Sequence, residues 1–132
     1  MDCKILFFLV AILGGAATNV FEETYINERE LRDKLIFHTW KSEQYYRGDL
    51  DCEKTYDFNS EDSVVISNGV VSKAVWRVYR PSNDDLLVLE IRTSDSVVKY
   101  CAMKSGDKIA LYLQTEGYTS KEYIVILYPI RS

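Results

Sequence analysis

Few residues in this chain have the type and spacing that chemistry requires. The 132 residues include a single histidine, His38, and no cysteine or carboxylate pair stands beside it at ligand spacing. A histidine-based metal site needs several such ligands. His38 could act alone as a general base, but no nucleophile motif such as Gly-x-Ser-x-Gly occurs in the chain. We therefore expect no metal, no cofactor and a structural or surface role for this histidine.

Adjacent carboxylates occur at Glu22-Glu23, Glu61-Asp62 and Asp84-Asp85. All three pairs fall in segments without strand or helix pattern, where carboxylates ordinarily meet solvent. Glycosidase chemistry needs two carboxylates placed across a cleft, which sequence neighbours do not provide. Neither an EF-hand spacing nor a phosphate-cradling glycine loop is present. The sequence therefore predicts that the protein is not an enzyme.

The N-terminus has the pattern of a leader for export. Ile5 to Leu13 is an unbroken apolar run, and Gly14 to Ala17 supplies the small residues that a signal peptidase needs. Residues 1–17 are therefore predicted to be a signal peptide. A retained membrane anchor is the alternative, but the run is shorter than the ~20 residues that span a bilayer. We expect a secreted, extracellular protein (periplasmic if bacterial) that is monomeric and has no membrane contact once the leader is removed.

Two cysteines remain after the leader, since Cys3 would leave with it. An even pair in a small exported domain predicts one disulfide, here between Cys52 and Cys101. Closing a loop of about 50 residues would stabilise the fold by roughly 4 kcal/mol in the chain-entropy model. Two separate buried thiols are the alternative.

Charge and composition narrow the class of partner. The chain has 16 basic and 20 acidic residues, for a net charge of −4, and its lysines and arginines do not cluster along the sequence. We therefore expect no nucleic-acid partner. Hydrophobic residues make up 47%, which is typical of one globular domain. The ten tyrosines favour half-buried strands and an amphipathic surface.

A short helix is predicted after a flexible lead-in at residues 18–26. Asn27 is a suitable N-cap, and Glu30 stands three residues later to complete a capping box. Leu31 and Leu35 share one face. A helix this short and one-sided must pack against something else.

From Thr39 onward the period changes to that of strands. Turn residues recur every eight to twelve positions, and they include Arg47-Gly48-Asp49 and the strong hairpin signal Asn68-Gly69. Eight strands are predicted, at 40–46, 53–58, 63–67, 70–80, 86–93, 97–104, 108–115 and 121–130. Residues 27–132 thus form an all-β domain, a compact antiparallel meander barrel of about eight strands with the short N-terminal helix capping one end.

The last of these strands is apolar on both faces. Val125 and Leu127 share one face, and Ile124 and Ile126 share the other. A sheet that buries only one of its faces needs apolar side chains on that face alone. We therefore expect the inner face to contact a core or cavity and the outer face to be covered by the N-terminal helix.

Several short motifs along this order of elements resemble those of the compact, calycin-type lipocalin-like domains. They are His38-Thr39-Trp40, Thr55-Tyr56-Asp57-Phe58, Ala74-Val75-Trp76-Arg77-Val78, Asp85-Leu86-Leu87-Val88-Leu89 and Ser105-Gly106-Asp107-Lys108-Ile109-Ala110-Leu111. The resemblance implies a barrel with the helix across one end. It also implies that Trp40 packs across the closed end.

The resemblance implies a secreted protein that binds a small hydrophobic ligand inside the barrel. Strand parity selects six candidate lining residues: Tyr56, Phe58, Trp76, Leu89, Leu111 and Val125. A filled core is the alternative for these positions, because small barrels usually pack their interiors. The alternative function is a protein-binding module (inhibitor, immune modulator or effector) that acts through its loops. Its candidate exposed aromatic residues are Tyr45, Tyr46, Tyr79 and Tyr118.

Overall fold

The computed structural model describes residues 23–81, 86–115 and 118–130. The predicted signal peptide and most of the predicted lead-in lie outside these residues. Within them, one helix precedes eight strands. The elements are α1 (Glu28–Phe37), β1 (Thr39–Tyr46), β2 (Asp49–Phe58), β3 (Ser63–Ser67), β4 (Val71–Tyr79), β5 (Leu87–Arg92), β6 (Val97–Ser105), β7 (Lys108–Thr115) and β8 (Tyr118–Ile130).

The eight strands form a closed barrel in which each strand pairs with its sequence neighbours. All pairs are antiparallel, and β1 closes the barrel by pairing with β8, with Thr39 opposite Ile130 and Tyr46 opposite Tyr123. Closure leaves no strand edge unpaired, which is the physical reason for a small sheet to close on itself. The predicted all-β meander barrel with a short N-terminal helix is confirmed.

Helix α1 begins where the sequence predicts. The Asn27 side chain accepts a hydrogen bond from the backbone N–H of Glu30 at 2.8 Å, as an N-cap should. Leu31 and Leu35 are fully buried and belong to the interior cluster of the barrel. Trp40 donates from Nε1 to the carbonyl oxygen of Leu35 at 3.1 Å and so ties the start of β1 to the helix. Within the described part of the chain, no helix has the length and apolar character needed to span a membrane.

The two apolar faces of β8 contact two different clusters. Val125 and Leu127 belong to the interior cluster, whereas Ile126 packs on the outer face with Tyr45 and Ala110. The expectation that the helix covers this outer face is wrong, because α1 packs on β1, β2 and β4. Its leucines are buried in the interior cluster, so they are not available to cover β8.

The described chain begins beside β6 and β7. Thr24 forms an isolated antiparallel bridge with Lys104 of β6, with N–H to O distances of 2.8 and 3.0 Å. The Tyr112 hydroxyl of β7 donates to the carboxylate of Glu23. Burial raises the pKa of Tyr112, and the Glu23 hydrogen bond raises it further. The segment before α1 is therefore attached to the barrel wall.

The turn between β1 and β2 has an unusual backbone. Arg47 and Gly48 have φ values of 55° and 87°, and Tyr46 and Asp49 pair on either side of them. A two-residue hairpin turn with both residues at positive φ matches the twist of the flanking strands. The Arg47 N–H donates to the Glu122 carbonyl oxygen at 2.7 Å. Turn and cross-strand contacts together hold this arginine in a backbone conformation that β-carbon-bearing residues seldom adopt.

The predicted Cys52–Cys101 disulfide is not formed. Both residues are thiols in the structure. Cys52 lies opposite Gln44 on the inner face, whereas Cys101 lies opposite Tyr112, in the outer row that continues to Ile124. They stand on β2 and β6, which are not neighbours in the barrel. A disulfide needs Cα atoms within about 7 Å and converging side chains, so the prediction fails because the two side chains point to opposite sides of the wall.

Candidate ligand site inside the barrel

The structure places all six predicted lining residues in the interior. Tyr56, Phe58, Trp76, Leu89, Leu111 and Val125 are buried and belong to one cluster. Strand parity was sufficient to identify them because each lies on a regular stretch of strand. They do not all have the same surroundings, and this difference divides the interior into two halves.

The half of the interior next to α1 is packed with large aromatic rings. Trp40 and Trp76 are fully buried, and the ring of Phe58 lies 5.2 Å from that of Trp76 in an edge-on arrangement. Trp76 donates from Nε1 to the Asn59 carbonyl oxygen at 3.2 Å. The polar atoms of both tryptophans thus have partners within the protein. Phe58 and Trp76 thus belong to the aromatic packing beside α1.

The other half of the interior carries polar side chains. We define the polar cluster as six residues of the inner face and its rim: Ser42, Gln44, Cys52, Tyr56, Tyr100 and Tyr123. Tyr56 adjoins the aromatic packing, because its ring stacks on that of Phe58 with the centroids 5.8 Å apart. Gln44 is opposite Cys52 on β2 and Val125 on β8. Its amide Nε2 donates to the Tyr123 hydroxyl and, at 3.3 Å, to the Asp51 carboxylate.

Three members of the polar cluster are buried without a hydrogen-bonding partner. Ser42, Tyr56 and Tyr100 are only 1%, 5% and 7% exposed, and their hydroxyls form no hydrogen bond with any residue that the structure describes. A buried polar group without a partner costs about 1–3 kcal/mol, and such groups in folded proteins call for an explanation. The polar cluster therefore has free hydrogen-bonding capacity that the protein itself does not use.

The phenols of the polar cluster keep their protons over the physiological range. Burial, with smaller contributions from the neighbouring Cys52 and Tyr123, raises the pKa of Tyr56 to about 12. Burial also raises the pKa of Tyr100, with added contributions from Tyr56, Tyr123 and Cys52. Tyr56 and Tyr100 both belong to the interior cluster, and Gln44, which is opposite Cys52, donates to Tyr123. Both buried phenols are available as neutral donors and acceptors.

Sequence reasoning missed Ser42, Gln44, Tyr100 and Tyr123 as site residues. Ser42 and Gln44 stand two and four positions after Trp40, so the same parity that selected the lining residues could have selected them. They were passed over because polar side chains on a strand are normally taken to face solvent. Only closure of the barrel shows that this row faces inward.

Among the described residues, neither a metal-binding group of side chains nor the histidine lies in the polar cluster. No group of three or more histidine, cysteine, aspartate or glutamate side chains there could hold a metal ion. His38 lies at the C-terminal end of α1, edge-on to Phe37 and Trp40, with ring centroids at 4.9 and 5.3 Å. It packs beside the closed end of the barrel.

The four tyrosines proposed for a protein-binding surface do not form one exposed cluster. Tyr45 is buried on the outer face, while its neighbour Tyr46 is exposed. A β-bulge between Gln44 and Tyr45 interrupts the register at this point. The Arg77 guanidinium lies over the ring of Tyr79, 4.4 Å from its centroid. The side chain of Tyr118 lies outside the described part of the structure.

Comparisons with protein-family models, with curated proteins and with solved structures return no match to this chain.

Proposed function

We propose that this protein is a secreted, lipocalin-like binder of a small ligand that is apolar in its body and carries a hydrogen-bonding group. The ligand would enter the barrel from the end opposite α1 and place its polar group among the hydroxyls of Ser42, Tyr56 and Tyr100. The observation that carries the proposal is the burial of these three hydroxyls without partners. A ligand polar group would supply the missing hydrogen bonds.

The shape of the barrel supports the same location. The aromatic packing of Trp40, Phe58 and Trp76 occupies the helix end, whereas small side chains, Ser42 and Ala102, stand on the inner face farther along. An eight-stranded barrel is just wide enough to be filled by side chains or to hold one small molecule. The apolar neighbours Leu111 and Val125 would contact the body of the ligand.

The test is native mass spectrometry of the secreted protein before and after organic extraction. We expect a bound mass that extraction removes, and its composition would identify the ligand class. In the double variant Tyr56→Phe/Tyr100→Phe both rings remain but both hydroxyls are lost. The retained ligand should fall by roughly tenfold for each hydrogen bond removed.

The matched control is Tyr25→Phe, which removes the hydroxyl of an exposed tyrosine and should retain the wild-type ligand load. A wild-type protein that carries no bound mass, or a double variant with an unchanged load, would contradict the proposal. The double variant should fold normally, because neither hydroxyl has a partner to lose.

A further inference from the structure

The outer face of β4, β5 and β6 combines exposed valines with basic side chains. We define the valine–cation wall by seven outward residues of these strands together with the buried Glu90 between them: Val71, Lys73, Val75, Arg77, Arg92, Val97 and Lys99. Val75 is opposite Arg92, and Arg92 is opposite Val97. The three residues form one row across three strands. Because they are direct cross-strand neighbours, the surface is continuous.

The valines of the wall are unusually accessible. Val71, Val75 and Val97 are 67%, 51% and 43% exposed. Single exposed apolar residues are normal on protein surfaces, but here three lie on one face, with Lys73 between Val71 and Val75 and Arg92 between Val75 and Val97. A shallow depression of about 400 Å³ is lined by Lys73, Val75 and Arg92 and also by Ser63, Thr93 and Ser94.

The wall is basic although the whole chain has a net charge of −4. It carries four cations and one carboxylate, that of Glu90, which is buried between two of the arginines. Among the residues that the structure describes, Asp95 stands in the turn after β5, and Asp62, in the turn before β3, pairs with Arg32 at 3.1 Å. The described outward residues of these strands thus carry more positive than negative charge.

Glu90 also fixes the positions of the two arginines. It accepts hydrogen bonds from Arg77 Nε and Nη2 at 3.2 and 3.1 Å, and from Arg92 Nη2 at 3.2 Å. Each guanidinium has five N–H donors, so most remain available. Side chains already held in place lose less entropy when a partner binds.

We propose that the valine–cation wall binds an extended acidic segment of another protein, one that alternates apolar and carboxylate side chains. Carboxylates would meet Lys73, Arg92 and Lys99, and apolar side chains would cover Val75 and Val97. Charge complementarity favours an acidic partner. Short valines are poor membrane anchors compared with tryptophan, phenylalanine and leucine, so a protein partner suits this face better than a lipid surface. The wall lies outside the barrel, so this proposal is independent of the interior ligand.

The experiment is NMR titration of the full mature protein with a short synthetic peptide of alternating valine and glutamate. We expect amide shift changes confined to β4, β5 and β6, and none with a valine–lysine peptide of the same length. The variant Lys73→Glu/Lys99→Glu should weaken binding by roughly tenfold or more, because two attractive charge pairs with the peptide become repulsive. Val75→Thr should also weaken peptide binding, because the substitution removes an apolar contact while the shape of the side chain hardly changes.

The control Arg29→Glu/Lys41→Glu makes the same change in net charge on other elements and should bind like the wild type. Equal weakening in the control, or shift changes scattered over the whole barrel, would overturn the proposal in favour of nonspecific charge attraction. Peptide-independent binding to phosphatidylserine vesicles would overturn it in favour of an anionic lipid surface. Concentration-dependent shifts of the wall without peptide would overturn it in favour of contact between copies of this chain.

Discussion

Glu90 is the residue whose environment departs most from what its position in a strand would suggest. Its side chain is only 4% exposed although it lies on the outer face of the barrel. An isolated buried carboxylate would be strongly unfavourable, and here Arg77 and Arg92 offset that cost. The hydrogen bond from Arg77, followed by that from Arg92, lowers the pKa of Glu90, although burial alone would raise it.

We predict that Glu90→Gln lowers the free energy of unfolding at neutral pH by roughly 1–3 kcal/mol, because two charge-assisted pairs are lost. A depressed folded pKa contributes stability that is fully present above the ordinary value of 4.5. That contribution disappears as the pH falls through the lower folded value. As the pH falls below 4.5, the stability of the variant should therefore decline less than that of the wild type. Urea unfolding over a series of acidic pH values measures both effects.

The control for this prediction is Glu53→Gln, on a half-exposed carboxylate that lies 3.8 Å from Lys41. An exposed pair of this kind contributes at most about 1 kcal/mol. If both variants lost the same stability, the arginine pairs of Glu90 would not be the cause.

At the scale of elements, α1 is the part of the fold that local sequence rules describe best. Its N-cap and its buried leucines are where the capping and periodicity rules place them. Hairpins were also recognised well, as at Asn68-Gly69, where Gly69 has a φ of 98°. The β-bulges at Gln44/Tyr45 and near Tyr112 could not be foreseen. A bulge depends on how two strands share their hydrogen bonds, which neither strand encodes alone.

We predict that Leu35→Ala lowers the free energy of unfolding by about 2–5 kcal/mol, because Leu35 is fully buried between α1 and the barrel. The control is Phe37→Ala, two residues further along, where the ring is 79% exposed. That substitution should change stability by less than about 0.5 kcal/mol. Thermal or urea unfolding of both variants makes the comparison. Equal effects would mean that α1 does not contribute to the core.

At the scale of the whole molecule, closure of the barrel buries an unusual number of phenols. Burial is the leading cause of the raised pKa values of Tyr56, Tyr100, Tyr112 and Tyr128. Two of these phenols, Tyr56 and Tyr100, face the interior cluster. The other two pack beside the outer cluster. Their shared property follows from the global shape and not from any local motif.

We predict that the protein loses stability at alkaline pH. A phenol whose folded pKa is raised contributes stability that is fully present below its ordinary value of 10.0 and is lost as the pH rises toward the folded value, about 12 for Tyr56. Each such phenol should lower the free energy of unfolding by roughly 1.4 kcal/mol per pH unit in this window. Urea unfolding at increasing pH, with tyrosinate absorbance as the second readout, measures the decline.

The variant Tyr56→Phe should show a shallower decline, whereas Tyr25→Phe, at an exposed tyrosine, should follow the wild type. A stability that stays constant through this alkaline range would show that the phenols are more accessible than the structure indicates.

The sequence by itself determined the elements and the fold class. Alternation of side chains along a strand and the chemistry of turns and caps act over a few residues, so they can be read locally. The same alternation placed Tyr56 and Val125 on the inner face. It could not show which hydroxyls would lack partners, because that depends on strands far apart in the chain.

Only the tertiary structure decided the relations between strands. It directed the side chains of Cys52 and Cys101 to opposite faces of the barrel sheet, and it turned Ser42 and Gln44 inward. It also gathered Lys73, Arg77, Arg92 and Lys99 on one face, although they are dispersed along the chain. These outcomes depend on the register between strands and on closure of the barrel, which are set by the packing of the whole interior rather than by any single segment.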